Sequence, residues 1–212
     1  METARYLQTL RLDGGDLALD FVNTLGGLLS AGPNPWDEHL RSYDDVVAWG
    51  VKVGVLDSAA AERLARRGRR DPAAAQRALR ETLELRDLVD AVFRPLAGGG
   101  RPKAARVEEL RHRAVDSLAR AELVHEGAGY RWQWTHGELE SPLWPLAHAA
   151  VELLTGGPLD TLKVCGECRW LFLDQSRNRR RRWCSMEECG TSVKKRRYVE
   201  SRRARRRAEV NR

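Results

Sequence analysis

Four residues can do chemistry together: Cys165, Cys168, Cys184 and Cys189, the only cysteines in the 212-residue chain. All lie in CGECRWLFLDQSRNRRRRWCSMEECG, two residues apart in the first pair and four in the second, with fifteen between the pairs. This spacing suits one tetrahedral Zn2+ site, each limb supplying two thiolates at ~2.3 Å. Four protein ligands leave no position open for water, so the expected role of the metal is structural rather than catalytic. Two other chemistries draw on the same residues. The thiols can form disulfides under oxidation and release the metal, or they can hold an iron–sulfur cluster.

The elements that must position these ligands are short. Cys165-Gly166-Glu167-Cys168 reads as a tight knuckle, Trp170 to Leu173 as a strand, Asp174 to Asn178 as a turn, and Arg181 to Cys184 as a returning strand. Ser185-x-x-Glu188 has the form of a capping box, which places Cys189 in the first turn of a helix. Knuckle, hairpin and ligand-bearing helix make a treble-clef-like layout. The helix N-terminus also favours an anionic cluster of sulfurs.

Cations surround this segment. Arg177, Arg179, Arg180, Arg181 and Arg182 fall on or beside the expected hairpin, and Lys194, Lys195, Arg196, Arg197, Arg202 and Arg203 on the helix beyond it. The net charge of the chain is +7, but residues 161–212 hold 17 Lys and Arg against 6 Asp and Glu, leaving 20 against 24 for residues 1–160. An acidic body with a basic end points to a polyanionic partner. Neutralising about six phosphates gives a salt slope near −5, and base reading requires one or two further side chains in a groove. DNA is the expected partner. RNA and an acidic protein partner are the alternatives.

Residues 1–160 read as a mainly helical domain with one hairpin. Asp16 is the expected cap of a helix carrying Leu17, Phe21, Val22 and Leu25 on one face and stopped by Gly26-Gly27. A turn-rich loop with Trp36 follows. Ser42 to Asp45 precede a helix capped by Gly54, and Asp57-Ser58 start an Ala-rich helix ending near Gly68. Asp71-Pro72 open a long helix to about Ala97, with Leu79, Leu83, Leu88, Val89 and Val92 or Phe93 inward. Another amphipathic segment follows Pro102. Two strands flank Gly127-Ala128-Gly129, with Leu123 and His125 alternating on one side and Tyr130, Trp132 and Trp134 on the other. Core or interface packing is expected for Trp132 and Trp134, with stacking on a ligand as the alternative. A last helix runs from Ser141-Pro142 to Leu154. The fold class is mainly α (α+β), with domains at 1–160 and 161–212.

No nucleophile–base arrangement, phosphate-binding glycine loop or paired His–carboxylate motif occurs, and the five histidines are scattered. The expectation is therefore not an enzyme. METARYLQTLRLDGGD lacks the charged and apolar regions of a signal peptide, and no window reaches ~18 apolar residues. A soluble, cytoplasmic protein is expected, nucleoid-associated when bound to DNA. Asp20 and Asn23, three apart beside an apolar face, are candidates for a ligand pocket that takes a small-molecule effector. The competing role for both is hydrogen bonding at a helix end.

The cysteine segment, with FLDQSRN and WCSM, continuing into VKKRRY, resembles the CGNR zinc-finger family of bacterial, largely actinobacterial, proteins. LALDFVNTLG, Leu17 to Gly26, resembles the opening of the ABATE domain that usually precedes this finger. The resemblance implies a stress-induced transcriptional regulator with zinc at the finger and DNA as its target. The namesake Cys-Gly-Asn-Arg reads Cys189-Gly190-Thr191-Ser192 here. Ligation by Cys189 carries over, but no role of an Asn-Arg pair does, and a contact made by that arginine would fall to Lys194 or Lys195.

Overall fold

A computed structural model of the chain describes residues 7, 9–26 and 38–210; the expected loop around Trp36 lies outside the described residues. Seven helices are described here: α1 (Leu17–Val22), α2 (Tyr43–Lys52), α3 (Ser58–Arg70), α4 (Pro72–Ala97), α5 (Ala104–Leu118), α6 (Leu143–Gly156) and α7 (Thr191–Val210). Two antiparallel hairpins interrupt them. One pairs β1 (Ala121–Glu126) with β2 (Gly129–Trp134), and the other pairs β3 (Leu162–Val164) with β4 (Leu171–Leu173). The protein is mainly helical with small two-stranded sheets, as its sequence pattern predicts.

Local chemistry starts the helices where expected. Asp16, Asp57 and Asp71 each accept a hydrogen bond from a backbone N–H in the first turn of α1, α3 and α4. Ser42 and Asp45 form a reciprocal capping box on α2. Each side-chain cap satisfies a donor that the helix itself cannot, worth ~1 kcal/mol. Pro72 occupies the opening of α4, where its missing N–H costs nothing.

Two helix ends differ from expectation. The first helix stops at Val22 rather than at Gly26-Gly27. Asn23 leaves it to bond Leu171, Thr24 Oγ1 turns back to the Phe21 carbonyl at 2.7 Å, and Leu25 bridges to Glu38. The third helix runs through Gly68 to Arg70. Gly68 is there for packing, since a Cβ would stand 3.0 Å from the Tyr43 ring.

The long α4 lies at the centre. Leu88, Val89, Val92 and Phe93 on it pack with Leu19 and Phe21 of α1, Trp49 of α2, Leu110 of α5 and Leu146 and Ala150 of α6. Leu162, Leu171 and Leu173 from β3 and β4 belong to this same buried cluster. The cysteine-bearing hairpin therefore inserts one face into the core of the helical region. A second cluster under α2 and α3 includes Tyr43, Val46, Leu64, Leu79 and Leu139.

The segment from Arg181 to Cys184 does not return as a strand. β4 pairs instead with β3, so the hairpin brackets the knuckle at its tip. Backbone groups that a strand ladder needs are taken elsewhere: Arg181 N–H bonds Asp174, and the Arg179 and Arg181 carbonyls accept from Lys163.

Candidate metal centre and basic surface

The knuckle is built by backbone bonds on both sides. Cys165 N–H donates to the Trp170 carbonyl and Gly166 N–H to that of Arg182, each at 2.9 Å. This holds Cys165 and Cys168 close together at the hairpin tip. Cys184 stands just before a π-helical turn, Met186–Gly190, that carries Cys189 and leads into α7. Ser185 Oγ accepts from Glu188 N–H at 3.3 Å, so the serine half of the expected capping box is present.

All four cysteines are buried, and their sulfurs lie within 4.8 Å of one another. Cys168 and Cys189 each place Sγ 3.7 Å from that of Cys184. A tetrahedron with ~2.3 Å arms has edges of ~3.8 Å, so the spacing fits a four-thiolate metal ion. Cys184 N–H also points at Cys165 Sγ, at 3.4 Å. Hydrogen bonds from Cys168, Cys184 and Cys189 push the Cys165 thiol down, while the bonds that Cys168 and Cys184 make to Cys165 push those two up. Sulfurs this close cannot all be anionic unaided, and a divalent cation removes that conflict. Phe172, Trp170 and Trp183 seal the cluster from the side.

The residues that set the basic loop are ones the cysteine pattern did not single out. Asp174 is fully buried and accepts from Lys163 Nζ at 2.6 Å, from the Ser176 N–H and hydroxyl, and from Arg181 N–H at 2.8 Å. Burial opposes its ionisation, but Lys163 and these donors outweigh it and hold the carboxyl well below the usual carboxylate range. The loop backbone is thereby fixed while most of its side chains face outward. The signal was an acid followed by Ser at the second position, which favours a local Asx-type turn.

Glu167, inside the knuckle, is also buried. It accepts from Arg196 through both carboxylate oxygens, at 2.5 and 2.7 Å, and from Ser192 Oγ at 3.2 Å. This fork pins α7 to the knuckle. Ser192 stands where the resembling family carries its arginine, and here it joins that pin.

The expected cations therefore divide. Arg196 is held by Glu167. Arg179 pairs with Asp160, and Arg181 donates to the Cys184 carbonyl while its guanidinium lies 5.1 Å from the Phe172 ring centre. Arg177, Arg180, Arg182, Lys194, Lys195, Arg197, Arg202 and Arg203 are exposed and form no ion pair with the described residues. Arg182 rests over Trp183 and Arg202 over Tyr198, both within 6 Å of the ring. The free cations thus lie on the loop and α7, on either side of the cysteine cluster.

Asp20 and Asn23 sit at the seam between the helical region and β4. Both ends of the Asn23 amide are used on the Leu171 backbone, each at 2.9 Å. Asp20 accepts from Gly14 N–H at 2.8 Å, and burial, together with Asp13 and Asp16, raises it to about 6. Neighbouring bonds tighten the seam: Leu173 N–H to the Gly14 carbonyl, and Arg11 to Asp13, Glu187 and Glu188. Neither Asp20 nor Asn23 lines the cavity of about 230 Å³ between α4, α5 and α6, which Leu85, Arg113, Glu140 and Trp144 help to form.

Among the described residues no helix is long and apolar enough to cross a membrane. Residues 15–157 match the ABATE family model, described as "Putative stress-induced transcription regulator". Residues 161–207 match the model for the CGNR zinc finger. No curated protein matches the chain.

Proposed function

Because the chain belongs to the ABATE family and carries a CGNR zinc finger behind that region, we propose that it is a zinc-dependent, DNA-binding transcriptional regulator of the cytoplasm and not an enzyme. Its helical region, about residues 1–160, senses an effector or binds a partner, and residues 161–212 hold the target. The observation that carries this reading is a buried four-sulfur cluster of tetrahedral dimensions beside two sets of exposed cations that form no ion pair with the described residues.

Zn2+ held by Cys165, Cys168, Cys184 and Cys189 supplies a structural cross-link between the knuckle and the start of α7. The chain's own residues do the rest. Glu167 holds α7 at a set angle to the knuckle, and Asp174 and Lys163 hold the arginine loop. Arg177, Arg180 and Arg182 then reach one stretch of phosphate backbone while Lys194, Lys195, Arg197, Arg202 and Arg203 reach another. Phosphate contact of this kind positions the protein, and affinity falls steeply with salt.

Two measurements test the reading. Purified protein should contain one Zn2+ per chain, and Cys184→Ser should lose it; stoichiometric zinc retained in the variant would sink the ligand assignment. Genome-wide capture of bound nucleic acid should return discrete DNA sites, whereas crosslinks confined to RNA would overturn the DNA assignment.

A further inference from the structure

The hairpin of β1 and β2 leaves a row of apolar side chains uncovered. Its register places Leu123 opposite Trp132, His125 opposite Tyr130 and Ala121 opposite Trp134, all on one face. The base of that face is anchored. Trp134 Nε1 donates to the Ser117 carbonyl at 2.9 Å, and the rings of Trp132 and Trp134 lie 6.3 and 5.4 Å from that of His148. Toward the turn the face is bare: Leu123 is 57 % exposed, Tyr130 70 % and Trp132 38 %.

Among the described residues no third strand joins this sheet. A two-stranded hairpin is marginal in water by itself, and an open strand edge is a template for another strand. The two edges differ in charge. β1 carries Glu122 and Glu126, which oppose each other when two copies pair about Val124. β2 reads GYRWQW, and its single charge, Arg131, is already paired with Glu126 at 2.9 Å.

We propose that β2 is a homodimerisation strand, pairing antiparallel with β2 of a second copy about Trp132. In that register Trp132 meets its own copy, Tyr130 meets Trp134, and Arg131 meets Gln133, with no like charges opposed. The hairpin's own charges, two acids against one arginine, make it a poor platform for nucleic acid. Its self-complementary edge suits a two-fold partner. The strand edge and its aromatic row are small beside a standard interface of ~1,600 Å², so the dimer is a weak one with a dissociation constant on the order of micromolar. The proposal does not rest on DNA binding.

The backbone supplies a discriminating test. In a hairpin closed by a two-residue turn, Glu126 and Gly129 form the hydrogen-bonded pair, so Tyr130 and His125 turn their N–H groups outward on opposite edges. Proline at either position spares the hairpin's own ladder. Sedimentation of the full chain across the micromolar range should show a monomer–dimer equilibrium. Trp132→Lys and Tyr130→Pro should each weaken it at least about tenfold (~1.4 kcal/mol), and His125→Pro should leave it intact. A monomer throughout, a dimer that survives Trp132→Lys, or equal loss with both prolines overturns the proposal. So does a Trp132→Lys protein that stays dimeric and loses DNA instead, which would reassign the face to nucleic acid.

Discussion

Asp20 shows how one residue's setting becomes a measurable property. Its carboxyl is mostly buried next to Asp13 and Asp16, and its affinity for a proton rises until it titrates at about 6. A carboxyl raised above its unfolded value of ~3.9 favours the folded state when protonated. That contribution is fully present below about pH 4 and is lost as the pH rises through about 6. Asp20→Asn keeps an acceptor for Gly14 N–H and removes the titration. The variant's melting temperature should therefore gain on the native chain between pH 4 and pH 7; a constant difference over that range would show that Asp20 does not titrate there. The sequence marked Asp20 as a polar residue beside an apolar face, but not its fate. Its neighbours Gly14 and Asp16 are close in sequence, whereas its burial is tertiary.

Among the elements, β4 is where the two regions of the chain become one structure. Asn23 at the end of α1 satisfies both the N–H and the C=O of Leu171, and Trp170 stacks so closely over Gly26 that a Cβ there would sit 2.0 Å from its Nε1. Asn23→Ala leaves two buried backbone groups without partners, each worth ~1–3 kcal/mol, so a loss of about 3 kcal/mol is expected in denaturant unfolding. A loss under about 1 kcal/mol would mean that water or a shift of β4 restores both bonds. LDFVNT was legible as a helix and its end. Nothing in it named Leu171 as the partner, because an asparagine that caps a helix and one that braces a strand look alike in sequence.

For the whole molecule, the shared core makes metal and fold one problem. Leu162, Leu171 and Leu173 flank the cysteine knuckle yet pack with Phe21, Val89 and Phe93 of the helical region. Removing the metal with a chelator should therefore lower the melting temperature of the whole chain in one transition. An unchanged major transition after chelation would show that the helical region folds independently of the finger.

Much of this protein is written locally. The four cysteines, the caps at Asp16, Ser42, Asp57 and Asp71, the long α4 and the excess of cations after residue 160 are decided by residues a few positions apart, so they are visible without a structure. The charge of the basic region was legible as well, but not its division into structural and free cations. Arg196 and Arg197 are neighbours of one type; only the fold sets the first against Glu167, 29 residues away, and leaves the second in solvent. The same holds for Asn23 and Leu171, 148 residues apart. Capping and metal-ligand spacing follow from short-range geometry, whereas pairing across the core depends on how helices and hairpins pack, and that leaves no periodic mark in the chain.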